Sequence, residues 1–173
     1  QQLFARHFRD LGFYGDGVVS VAPDAGRAKV AVRFAEMLEA DFALLHKTRP
    51  AHEQAAVTEV TGRVRDKICI VGDDVTITGG TLVAGAGALL EQGAREVWVY
   101  VTHALLSPEG IQKLADSEEI AGIVVTDTVP LDPRSRPENL TVLTVSSLLA
   151  ETIMNVFSDD SVSAIFGGEN QLF

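Results

Sequence analysis

Two adjacent carboxylates, Asp73 and Asp74, stand just ahead of the run Thr78-Gly79-Gly80-Thr81. A glycine turn flanked by threonines leaves backbone N–H groups pointing outward. If a helix begins there, its dipole adds a positive field, so the pattern suits an anion, and phosphate is the natural one. Carboxylates repel phosphate and must serve another part of the same ligand. The hydroxyls of a ribose, which donate to carboxylates, or a hydrated magnesium ion would fit them. Together the two groups describe a sugar phosphate. The stretch lacks the Gly-Lys-Ser/Thr ending of a Walker loop and contains no G-x-G-x-x-G. On these residues alone, a plain glycine-rich turn with a solvated aspartate pair remains the simpler alternative.

The elements that must position this group read as strand, turn and helix. Ile68 to Val71 is a short apolar run rich in β-branched residues, the pattern of a strand buried on both faces of a parallel sheet. A small-residue helix starts near Leu82 and ends at Gly93-Ala94. Around this unit the spacing predicts a helix over Leu3–Phe13, strands at Val18–Val21 and Asp41–Leu45, and a helix over Ala28–Leu38. Further on it predicts a strand from Glu96 to Val101, a helix opened by Pro108, strands at Gly122–Val125 and Leu140–Val145, and a helix over Ser147–Phe157. Ala51–Thr58 shows no period and is expected to be a mobile loop. This alternation predicts a doubly wound, mainly parallel α/β sheet flanked by helices.

Composition narrows the function. The chain has 173 residues, 46% of them hydrophobic, and a formal net charge of −10. That size fits one domain with its own core. The acidic balance argues against a nucleic-acid or anionic-membrane surface, so any phosphate site must be local. No apolar run reaches the length of a membrane span. The single cysteine, Cys69, offers no disulfide framework and agrees with a cytoplasmic location. The chain begins at Gln1, not Met, which suggests a piece of a longer protein with residues missing upstream.

Other residues could do chemistry at strand ends. Asp24 follows a strand, where open α/β sheets place their ligands, but it could equally cap the next helix. Lys47 and Arg49 are cations with one residue between them, and Pro50 keeps a helix from absorbing them. A pair of this kind is ordinarily solvated surface. His103 and Ser107 follow another strand, and a histidine in such a place is more often a hydrogen-bonder than a base.

DDVTITGGT resembles the ribose 5-phosphate loop shared by phosphoribosyltransferases and ribose-phosphate diphosphokinases (phosphoribosyl diphosphate synthetases). PDAGRAK and DFALLHKTRP resemble the diphosphokinases in particular. THALLS, VVTDTVP and SDDSVSAIF extend that likeness from about Phe4 to Phe166. The resemblance implies a phosphoribosyltransferase type I-like fold and the transfer of the ATP diphosphate to the C1 hydroxyl of ribose 5-phosphate. It implies that Thr78, Gly79, Gly80 and Thr81 hold the 5-phosphate and that Asp73 and Asp74 hold the ribose hydroxyls. Asp24 would hold Mg2+, while Lys47 and Arg49 would stabilise the transferring group. His103, and more weakly Ser107, would lie beside the nucleotide. Residues 1–173 would form a single domain, the carboxyl-terminal half of a homo-oligomer whose amino-terminal half and neighbouring subunits complete the ATP site.

Three positions depart from the family pattern. Ile77 stands where a third acidic residue is usual, Gly72 where an apolar strand residue is usual, and Arg27 where a glycine is usual. Gly72 is expected to loosen the end of its strand. Ile77 supports a catalytically weakened homologue serving as a regulatory or structural subunit. A phosphoribosyltransferase acting on a base is a further alternative, for which no stretch reads as a base-covering hood.

Overall fold

The computed structural model describes residues 1–48 and 57–166. Its elements are α1 (Gln2–Asp10), β1 (Val18–Ala22), α2 (Ala28–Leu38), β2 (Asp41–Thr48), β3 (Val57–Thr61), β4 (Ile68–Thr76), α3 (Gly80–Glu91), β5 (Glu96–Ala104), α4 (Pro108–Ala115), β6 (Gly122–Thr126), β7 (Leu140–Leu143) and α5 (Ser146–Phe157). The strands form one sheet in the order β3-β2-β1-β4-β5-β6-β7. Every neighbouring pair is parallel except β2 with β3. The predicted α/β class and doubly wound sheet are therefore present. Among the described residues no helix is long and apolar enough to cross a membrane.

Helices cover both faces because successive strand residues point to opposite sides. Along β4, Cys69 and Val71 join a core with Leu82, Ala86 and Leu89 of α3. Ile68 and Ile70 join a second core with Phe4 and Phe8 of α1 and Phe34 and Leu38 of α2. The helical residues recur at three- and four-residue spacing, one apolar stripe per helix. Each buried Phe or Leu contributes about 1.5–3 kcal/mol. Burial pushes the Cys69 thiol up to about 12, so it behaves as a small hydrophobe.

Several boundaries differ from those the sequence predicts. The central strand runs past Val71 to Thr76, and β5 continues past Val101 to Ala104. Asp73, Val75 and Thr76 pair with Val101, His103 and Ala104, so the aspartates lie on a strand rather than in a turn. Val57 and Thr58, expected in a loop, begin the edge strand β3, which is antiparallel to β2. Gly72 does not loosen the strand. A Cβ there would lie 2.1 Å from Tyr100 Cζ, so the glycine makes room for that ring. The ring is held in turn by Phe4 and Phe34, with centroids 4.7 and 4.5 Å away.

Candidate functional site

β1 connects through α2 to β2 on one side, while β4 lies on its other side, so the strand order reverses between β1 and β4. Open α/β sheets bind ligands in the crevice at such a switch point, beyond the carboxyl ends of the strands. Here β1 pairs with β4 only as far as Val21 with Val71. The outer part of β4 continues to Thr76 paired with β5. This overhang carries Asp73 and Asp74 into the crevice.

Asp24 follows β1 at the same edge and is exposed. Its Oδ1 accepts a hydrogen bond from Arg27 N at 3.1 Å, the capping role that the sequence allowed. The remaining lone pairs of this carboxylate are open to a ligand. Arg27 then reaches across the switch point. Its Nη1 donates to Asp74 Oδ2 at 3.2 Å, and its Nε lies 4.0 Å from Asp73 Oδ1. Arg27 is a member of the site that sequence reasoning treated only as a departure from a pattern. Its distance in the chain from the aspartates gave no local signal.

The two carboxylates differ in character. Burial, with the hydrogen bond and charge of Asp74 adding to it, pushes Asp73 up to about 6, against the pull of the Asp74 amide and Arg27. Burial acts the same way on Asp74, but the hydrogen bond with Asp73 and the Arg27 guanidinium outweigh it and hold that carboxyl below its ordinary value. The pair therefore offers one carboxylate that is ionised at neutral pH and a second that titrates just below it. Both can accept hydrogen bonds from a diol.

The chain turns from β4 into α3 through Ile77, Thr78 and Gly79. Gly79 has φ of 67°, the left-handed region in which a side chain is strained. Leu114 of α4 lies within 2.9 Å of where its Cβ would be, which closes the position a second way. With Gly79 as the cap, α3 begins at Gly80 with no acidic residue in its first turn. This N-terminus borders a depression of about 360 Å³ lined by Asp73, Val75 and residues 76–81, and there the Gly80 amide donates to Thr78 Oγ1 at 3.4 Å. Donors for an anion and acceptors for hydroxyls thus border one hollow.

The remaining candidates are placed less directly. Lys47 lies near the carboxyl end of β2, the edge that carries Asp24 and the aspartate pair, and its backbone pairs with Thr58. Arg49 lies outside the described residues. His103 shares a hydrogen bond with Thr128, Nδ1 to Oγ1 at 2.9 Å, and Thr128 in turn donates to Thr102 O. Ser107 caps α4 by accepting from Gly110 N at 3.1 Å. Its own amide donates to Ile77 O at 3.0 Å, tying α4 to the loop. Both side chains therefore have structural partners. Among the described residues no group of three or more His, Cys, Asp or Glu gathers as a preformed metal site.

Comparison with known proteins finds relatives that match most of the chain. Residues 48–167 match the model of the phosphoribosyl synthetase-associated domain. The ribose-phosphate pyrophosphokinase of Fusobacterium nucleatum is 38% identical over 164 residues, which cover 95% of this chain and 52% of that protein. The crystal structure of phosphoribosylpyrophosphate synthetase from Mycobacterium smegmatis superposes with a TM-score of 0.76 at 36% identity, over 90% of this chain and 48% of that one. An APRTase from Giardia lamblia, 18% identical with a TM-score of 0.51, covers 70% of this chain and 73% of its own and shares the fold. The chain thus spans about half the length of the pyrophosphokinase and synthetase relatives it matches.

Proposed function

Because the chain belongs to the phosphoribosyl synthetase-associated domain family, we propose that it is the sugar-phosphate half of a ribose-phosphate diphosphokinase. The whole enzyme would move the β,γ-diphosphate of ATP to the C1 hydroxyl of ribose 5-phosphate, releasing AMP. The observation that carries this reading is the single hollow bordered by the α3 N-terminus and by Asp73.

In this reading the N–H groups of residues 79–81 and the hydroxyls of Thr78 and Thr81 hold the 5-phosphate. Asp73 and Asp74 accept from the ribose hydroxyls and turn C1 toward the crevice. Fixing the sugar at both ends removes rotational freedom before the reaction, a large part of the barrier in two-substrate chemistry. Lys47 and Arg49 supply positive charge to the oxygens of the transferring group, where negative charge builds up.

The donor set fits magnesium. Asp24 is an exposed carboxylate with one oxygen already engaged by an amide, and magnesium is commonly held by one or two carboxylates together with substrate phosphates. When bound, the ion would neutralise diphosphate charge. The adenine site would be completed by an amino-terminal half and by neighbouring subunits, in a homo-oligomer of the cytoplasm. The 173 residues alone should then release no AMP from ATP and ribose 5-phosphate.

A crystal of the chain soaked in ribose 5-phosphate tests the assignment. The phosphate should lie against the N–H groups of residues 79–81, with the ribose hydroxyls toward Asp73 and Asp74. A sugar phosphate bound elsewhere, or with its ends reversed, would overturn it.

A further inference from the structure

We propose that Lys113, on α4, is a second-wall ligand of the same site and donates its ammonium protons to the phosphate held by residues 78–81. The inference rests on the sugar-phosphate reading and adds to it a residue from a different element.

The placement follows from how α4 is seated. The Ser107 amide bonds to Ile77 O, and Gly110 packs so closely that a Cβ there would stand 2.3 Å from that same oxygen. One turn later Leu114 rests on Gly79. Lys113 lies between these two contacts in sequence, and helical spacing carries its side chain past the loop. Its Nζ stands 3.7 Å from the point a Cβ on Gly80 would occupy, and Thr78 Oγ1 stands 3.6 Å from that point. Among the described residues, no other atom outside residues 79–81 and the α3 backbone comes within 4 Å of that point.

Electrostatics argue that this arrangement waits for an anion. A cation beside a helix N-terminus faces the positive end of the dipole and is disfavoured there. The α3 first turn has no acidic residue to offset it. The two acids nearest along α4 are occupied elsewhere. Glu109, on the first turn, bonds to Ser107 and a backbone amide, and Asp116 accepts from Gln112 at 2.8 Å. Among the described residues Lys113 forms no ion pair. The lysine ammonium thus stands beside the first turn of α3 with the same sign as the dipole end there. A phosphate dianion satisfies both, and an ammonium has three protons to give it.

Titration of the 173-residue chain with ribose 5-phosphate, followed by the 31P resonance, tests the inference. Lys113→Ala should weaken binding by about tenfold or more, as expected for loss of a charge-assisted hydrogen bond. Lys113→Arg should stay within about threefold of the parent, and Gln112→Ala, one position away, should match it. The Lys113→Ala variant should also lose part of the salt dependence of binding while melting at the parent temperature. If Lys113→Ala binds as the parent does while Thr78→Val and Asp73→Asn weaken binding, the role of Lys113 is refuted and the sugar-phosphate reading stands. If the parent chain binds no sugar phosphate, both fail together.

Discussion

Arg27 Nη1 lies 3.2 Å from Asp74 Oδ2, joining a residue that follows β1 to one on the overhang of β4. The contact spans the switch point of the sheet and places a positive charge beside the two carboxylates assigned to the ribose. Any ligand that uses those carboxylates must share them with this guanidinium.

The first prediction follows from that contact. Arg27 lowers the pKa of both aspartates, so Arg27→Ala should move the titration of Asp73 and of Asp74 upward. Carboxyl 13C shifts followed against pH would show it. Unchanged midpoints would mean that the guanidinium does not act on the pair in solution.

Asp73 also makes stability depend on pH. Its carboxyl titrates near 3.8 when unperturbed and at about 6 in the fold, so the folded chain holds the proton more tightly across that window. Stability should therefore fall as pH rises from about 4 to about 6. Asp74, held below its ordinary value, acts with the opposite sign and loses its contribution as the pH falls lower. Urea unfolding of Asp73→Asn in metal-free buffer should show a flatter profile between those limits. An identical profile would contradict the burial assigned to Asp73.

Gly72 carries a prediction about packing. A side chain there meets the Tyr100 ring at 2.1 Å, and that ring is fixed by Phe4 and Phe34. Gly72→Val should cost about 1–3 kcal/mol or more through overpacking, which corresponds to a fall of roughly 2–4 °C in Tm for each kcal/mol. Calorimetry would measure it, and a Tm equal to that of the parent would refute the close approach.

The fold was largely legible because its signals are local. The apolar run Ile68–Val71, the glycine turn at residue 79 and the apolar stripes of the helices each announce one element. β3 was not legible, since it is a five-residue edge strand whose described part contributes only Val60 to the core. The aspartate pair and the threonine loop were visible as a motif, but their setting was not. That the aspartates extend a strand depends on β5 being long enough to pair with them. The roles of Arg27 and Lys113 depend on β1 lying beside β4 and on α4 being seated against the loop. Neither relation has a periodicity or spacing that a single sequence displays.

Ile77 tests how far the site departs from the diphosphokinase pattern. Ile77 is 55% exposed, and its carbonyl, not its side chain, holds Ser107. Ile77→Asp should therefore alter stability by no more than about 0.5 kcal/mol, while strengthening ribose 5-phosphate binding in the presence of magnesium. Paired calorimetric titrations with and without the ion would check this. Weaker binding in both would show that a third carboxylate there repels the phosphate instead of serving the sugar.

The central claim is that residues 73–81 hold the two ends of a sugar phosphate, and isothermal titration of ribose 5-phosphate into the chain with magnesium tests it most directly. The account predicts saturable binding to one site, weakened by about tenfold or more in both Asp73→Asn and Asp74→Asn, with all three proteins folded. Binding that both variants retain, or no heat from the folded parent at millimolar ligand, would contradict it.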